Sequence, residues 1–238
     1  MLHWLYPRFC ELCHEPCEHE LCEACISKLE RVPLPICLHC GAPVAGDQAD
    51  PYSCRECTGR PRCFDFARSA LASSDDTLKL IYRLKYHRAN YLAPVLGSLL
   101  NSLWDDTPAM ADYAQACLVP VPAGRGHLFY RGYNQAEELA QALGKLRGMA
   151  VISPLQRMSG AAESQTRLSA AERWRNAKLS YSARAPWVVG RKRLPAHVVL
   201  IDDVYTTGAT TRACAHALKK LPGVRHVAVL TLLRAIRR

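Results

Sequence analysis

Val198-Val199-Leu200-Ile201-Asp202-Asp203-Val204-Tyr205-Thr206-Thr207-Gly208-Ala209-Thr210 is the stretch on which the fold of this 238-residue chain turns. Four apolar residues predict a short buried strand. Two adjacent carboxylates sit at its carboxyl end, and a hydroxyl- and glycine-rich turn follows. A helical pattern comes next, with Cys214, Ala217, Leu218 and Leu221 on one face. Free loop amides at a helix start favour an anion, and carboxylates accept hydrogen bonds from sugar hydroxyls. The stretch therefore reads as a phosphate site with diol-binding acids beside it. A plain strand and turn whose threonines cap a helix would explain the loop. It would leave Asp202 and Asp203 unexplained, because paired like charges repel unless something positive or hydroxylated meets them.

Working outward, Cys117 to Pro122 predicts another strand, with its two prolines at the end where the chain leaves the sheet. A basic loop, Ala123 to Tyr133, holds Arg125, His127 and Arg131. Asn134 then caps a helix through Leu139, Ala142, Leu143 and Leu146, with Glu137 completing a capping-box pair. A short strand over about Ala150 to Ser153 and a final strand over Val227 to Leu233 are expected. Earlier, Phe64 to Leu71 reads as extended. Two helices follow, one behind a cap at Ser73–Asp76 and one over about Tyr91 to Trp104. Between Pro154 and Leu194 the pattern is irregular and basic, with a short helix expected over Ala170 to Ala177 behind Ser169-Ala170-Ala171-Glu172. A loop this long inside a compact domain suits a functional cover. Alternating strands and helices predict an α/β fold with a mostly parallel sheet, which binds ligands at the carboxyl ends of its strands. The Arg131 loop and the Asp202 loop both leave strands at that edge.

Ten of the twelve cysteines lie within the first 63 residues. Four Cys-x-x-Cys pairs occur there: Cys10/Cys13, Cys22/Cys25, Cys37/Cys40 and Cys54/Cys57. Two such knuckles complete a tetrahedral Cys₄ zinc site, and four in succession suit zinc better than a redox motif. Sequential pairing gives two ribbons in tandem, although the spacing also allows an interleaved arrangement. All four positions of each site would be filled, so the zinc is structural and helps so small a region fold. The expected domains are a double zinc ribbon over 1–62 and an α/β domain over 63–238.

The formal charge of +10 suits phosphate-rich ligands or nucleic acid. Eight thiolates holding two divalent ions would lower it by about four. No apolar run reaches the length of a membrane span, and the first residues lack the pattern of a signal peptide. A cytoplasmic protein without membrane insertion is expected.

Asp202 to Thr210 resembles the phosphoribosyl-pyrophosphate (PRPP) binding motif of the phosphoribosyltransferases. Taken with the tandem ribbon, further stretches resemble the ComF/GntX family across nearly the whole chain. They are Leu84-Lys85-Tyr86, Val119-Pro120-Val121-Pro122, Arg131-Gly132-Tyr133-Asn134-Gln135, Ser164-Gln165 with Leu168, and Arg173 with Asn176. Members are phosphoribosyltransferase-like proteins linked to competence and DNA utilisation. The resemblance implies a type I phosphoribosyltransferase fold with PRPP and Mg²⁺ as ligands. It implies that Thr206, Thr207, Gly208, Ala209 and Thr210 hold the 5′-phosphate, while Asp202 and Asp203 accept from the ribose hydroxyls. Arg131 and Gly132 would steady the pyrophosphate. Lys85 either reaches the same anion or is a solvated helix lysine, and Asn134 is either a ligand or only a cap. Arg173 and Asn176 either tie down the covering loop or lie on the surface. Two function classes follow. One is an enzyme transferring phosphoribose to an acceptor. The other is a non-catalytic PRPP sensor or single-stranded-DNA-handling protein, with DNA-uptake proteins as partners.

Overall fold

The structure, a computed structural model, describes residues 8–44, 54–86, 89–158, 179–184 and 193–236. Four parallel strands form one sheet: β1 (Phe66–Ala72), β2 (Cys117–Pro120), β5 (His197–Tyr205) and β6 (His226–Arg234), in the order β1-β6-β5-β2. The central strands are continuous apolar runs because both faces are covered. Val198, Val199, Leu200 and Ile201 are each 0% exposed, and burying each contributes roughly 1.5–3 kcal/mol. A separate antiparallel pair joins β3 (Leu155–Arg157) and β4 (Tyr181–Ala183).

Two layers enclose the sheet. On one face lie α2 (Asp75–Tyr86), α3 (Ala93–Asp105) and α5 (Gln135–Arg147), packed on Val199, Ile201, Ala228 and Leu230. On the other lies α6 (Ala209–Leu218), over Val198, Leu200, Val227 and Val229. Among the described residues the other α-helices are α1 (Glu23–Lys28) in the ribbon and α4 (Arg125–Arg131) after β2. The cap before α2 is reciprocal: Ser74 N–H donates to Thr77 Oγ1 at 2.8 Å, and Thr77 N–H to Ser74 Oγ at 3.4 Å.

Several expectations are refined. β5 runs on through both aspartates to Tyr205, so the acids lie within the strand rather than beyond it. The expected loop over 123–133 contains α4, closed by Gly132 in the left-handed region at φ +83°. The expected strand near Ala150 to Ser153 is only a bridge between Val151 and Leu118, because few residues separate the Gly148 helix stop from Pro154. Asn134 does cap α5, accepting from Ala136 N–H at 3.3 Å. Glu137 does not reciprocate; its carboxylate accepts from Ser153 Oγ at 3.4 Å. The helix expected over 170–177, Ser164, Gln165, Arg173 and Asn176 lie outside the described residues.

Candidate functional site

The amino-terminal cysteines form two clusters, Cys10/Cys13/Cys22/Cys25 and Cys37/Cys40/Cys54/Cys57, each with sulfurs within 4.8 Å of one another. This is the sequential pairing. In all four pairs the residue four positions after the first cysteine donates its N–H to that cysteine's carbonyl. The donors are His14, Ile26, Gly41 and Thr58, at 2.9–3.0 Å. The two halves repeat one another: Phe9 bridges Pro16 as Ile36 bridges Pro43, and Cys10 N–H meets Glu15 O as Cys37 N–H meets Ala42 O. Gly41 is required at its turn. Its φ is +69°, and an added Cβ would stand 2.6 Å from the Ala67 carbonyl oxygen.

The fit to zinc can be tested on distances. A tetrahedron with bonds of about 2.3 Å has edges of about 3.8 Å. Cys13 and Cys22 sulfurs are 3.8 Å apart, Cys37 and Cys57 3.9 Å, and Cys40 and Cys54 3.5 Å. These separations match a shared ion and far exceed a disulfide bond of about 2 Å. Donation from the Cys57 thiol holds Cys40 down at about 4 and pushes Cys57 upward. A divalent cation would take the place of those shared protons. Both clusters are closed Cys₄ sites suited to structural zinc.

In the α/β domain, neighbouring strands β2 and β5 carry their loops to one edge. Lys85, Arg131, Asn134, Asp202, Asp203, Thr206 and Thr210 line a single cleft of 280 Å³. Gly132, Thr207, Gly208 and Ala209 do not line it; they form the turns that carry the lining residues. Successive strand residues face opposite sides, so the two acids diverge. Asp203 pairs with Lys85 of α2 at 2.8 Å. Asp202 faces the α6 side, where burial first and then the Asp202 charge hold the Cys214 thiol well above its usual range. Burial first, then the Asp203 charge, holds the Asp202 carboxyl well above the usual range. Asp202 Oδ1 also accepts the Asp203 N–H at 2.9 Å.

Arg131 is held over the Tyr86 ring at 4.9 Å and donates to Gln135 Oε1 at 3.2 Å. The Arg131 Nε and Gln135 Nε2 atoms are buried without a partner among the described residues, leaving donors for a ligand. Asn134 is committed at both ends, since its Nδ2 donates to Val121 O at 2.9 Å. It therefore ties α5 to the end of β2. Gln135, His127, Arg157 and Tyr181 also line the cleft and were not singled out as site residues. Gln135 stands inside the quoted Arg-Gly run. No local signal marks Tyr181, which the β3–β4 hairpin delivers from far along the chain. Burial pushes its hydroxyl up to about 12.

Gly208 closes the turn and cannot carry a side chain. Its φ is +69°, and an added Cβ would meet the Tyr205 hydroxyl oxygen at 2.2 Å. Among the described residues no helix is long and apolar enough to cross a membrane.

The fold and sites thus define a protein class: a parallel α/β domain joined to a ribbon with two Cys₄ zinc sites. The double zinc ribbon domain family matches residues 1–58. The DNA utilization protein YhgH of Salmonella typhi is 30% identical over 236 residues, covering 97% of this chain and 98% of that protein. Competence protein F of Haemophilus influenzae is 28% identical over 217 residues, 90% of each chain. Competence protein ComFC of Bacillus subtilis is 27% identical, covering 92% of this chain and 85% of its own. The chain belongs to this family of competence and DNA utilization proteins.

Proposed function

We propose that the cleft binds PRPP and that the protein transfers phosphoribose to an acceptor in DNA uptake or utilisation. One observation carries this reading: adjacent parallel strands bring the Arg131 turn and the Asp202–Thr210 segment around one cleft. The amides and hydroxyls of Thr206 to Thr210, at the start of α6, take the 5′-phosphate. Asp202 and Asp203 accept from the ribose hydroxyls. As pyrophosphate leaves C1, the ring gains oxocarbenium character, and carboxylates fixed beneath it stabilise the positive charge. Arg131 and Gln135 donate to the departing pyrophosphate. Lys85 pairs with Asp203 and orients its carboxylate. Mg²⁺ supplies charge neutralisation to the pyrophosphate with which it arrives. In this reading residues 1–62 are a support for the 63–238 domain rather than a tethered module.

Calorimetry with PRPP and Mg²⁺ tests the donor site. Micromolar wild-type binding, lost in the Asp202→Ala/Asp203→Ala protein, is the expected result. Absent wild-type binding sinks the reading. Pyrophosphate release with a base or oligonucleotide separates an enzyme from a PRPP sensor.

A second reading, handling of single-stranded DNA, is favoured by a separate feature beside Arg131. Tyr82 and Tyr86 lie 4.9 Å apart, both exposed, and Arg131 stacks on Tyr86. Phe129, two residues before Arg131 in the chain, is 95% exposed. Aromatic and guanidinium faces among basic residues suit unstacked bases. Oligonucleotide affinity should fall with salt and weaken in Tyr82→Ala/Tyr86→Ala. Affinity unchanged by both would remove this reading.

A further inference from the structure

The ribbon does more than close its own metal sites. Thr207 stands in the middle of the turn, and its carbonyl oxygen accepts two guanidinium donors. Arg212 of α6 donates through Nη1 at 2.6 Å, and Arg60 through Nη1 at 2.9 Å. Arg60 belongs to the second Cys₄ knuckle, where its own N–H donates to the Cys57 carbonyl at 3.0 Å. In a trans peptide the C=O and the following N–H point opposite ways. Clamping the Thr207 carbonyl toward the ribbon therefore turns the Gly208 N–H away from it. An anion-holding loop needs its amides fixed in this way before a ligand arrives.

A second connection runs from the same cluster. Arg234, the last residue of β6, is 1% exposed. Its Nη1 donates to the Cys40 carbonyl at 2.7 Å, and its Nη2 meets Glu56 Oε2 at 2.5 Å. Glu56 lies between the ligands Cys54 and Cys57. So deep a charge is tolerable because it is paired and bonded to the knuckles. The β5–β6 register sets Tyr205 beside Arg234, with the guanidinium 4.4 Å from the ring centroid. Tyr205 is itself 1% exposed, and its hydroxyl, without a partner among the described residues, abuts the Gly208 backbone. The sequence of contacts is cluster, Arg234, Tyr205, Gly208.

We infer that Arg60 and Arg234 are positioning residues that make the second Cys₄ site a support of the Thr206–Thr210 turn, so that zinc and anion occupancy are linked. The first cluster has no such route among the described contacts. Its Glu11 meets Tyr91 and Arg83 on the helical face. The anion half of the inference rests on the phosphoribosyl reading, while the positioning half does not.

The test uses the full-length, zinc-loaded protein. Amide hydrogen exchange over residues 205–214 is compared in wild type, Arg60→Ala, Arg60→Lys and Cys13→Ser. Arg60→Ala should speed exchange at the first turn of α6 about tenfold, with zinc content unchanged. Arg60→Lys, which can still donate to the carbonyl, should restore most of the protection. Cys13→Ser should leave this segment as in wild type. Unchanged exchange in Arg60→Ala, or equal loosening in Cys13→Ser, would overturn the positioning role. Linkage is reciprocal, so PRPP with Mg²⁺ should slow release of one of the two zinc ions to a chromophoric chelator about tenfold. The effect should shrink in Arg60→Ala. PRPP that binds by calorimetry without slowing either ion would overturn the linkage. PRPP that fails to bind would sink the donor reading instead, and the exchange result would still decide the positioning role.

Discussion

The two Cys₄ clusters share spacing, hydrogen bonds and chemistry, yet they occupy different mechanical positions. In the first, Cys13 is exposed and only Cys10 is buried; in the second all four cysteines are buried. Cys10, Leu21 and Leu29 pack with α2 and α3. The second cluster packs with Ala67, Phe64 and the α6 core, under the turn that ends β5. A repeated motif thus becomes two unlike parts, because the partner surface rather than the knuckle decides what a metal supports. One cluster braces the helix that presents Lys85. The other braces the turn that carries Thr206 to Thr210.

Breaking each cluster in turn should separate them most sharply. Structural zinc sites in peptides bind with roughly 10–16 kcal/mol, comparable to the whole stability of a domain. Cys40→Ser should therefore abolish cooperative unfolding of the α/β domain and leave at most one zinc ion, read by calorimetric scanning and metal analysis. Cys13→Ser should keep a folded domain with one ion and a smaller drop in Tm. Equal losses would erase the distinction.

Gly208→Ala comes next. It places a Cβ against Tyr205 in a left-handed turn, at about 2–4 kcal/mol, and should remove PRPP binding while both zinc ions remain.

Asp202 gives a smaller effect of opposite sign. Its raised pKa means that the folded state binds this proton more tightly than the unfolded chain. The stability it contributes is full below the ordinary Asp value of about 3.9 and lost as pH rises through the raised value. Asp202→Asn should thus raise stability at pH 7 by about 1 kcal/mol and flatten that pH slope, while PRPP binding disappears. Wild-type PRPP affinity should rise with pH over the same range, since the ionised carboxylate is the hydroxyl acceptor.

The smallest change is expected at the first cluster's rim. Glu11→Gln weakens a partly exposed ion pair with Arg83 and should cost no more than about 1 kcal/mol in urea unfolding. It should leave zinc content and the Thr206–Thr210 turn unaltered.

Much of this was legible in the chain because it is written in local patterns. Val198 to Ile201 is apolar without alternation, which marks a strand covered on both faces. Cys-x-x-Cys spacing dictates a knuckle whatever surrounds it. The strand's true end was not legible, since Asp202 and Asp203 stay in the ladder through pairing with β6 rather than by their own propensity. Nor was α4, whose Gly124 and Gly132 borders look like loop residues until both serve as helix ends.

The sequence by itself determined the eight candidate metal ligands, the parallel α/β class and the acids and threonines of the candidate site. Those features rest on spacing, periodicity and residue chemistry over short distances. Only the tertiary structure decided that the cysteine pairs combine in order and that Asp202 and Asp203 face different partners. It alone brought Arg60, 147 residues away in the chain, onto the Thr207 carbonyl that the nearby Arg212 also holds. Contacts of that range depend on the register of a folded sheet, which no local stretch of residues contains.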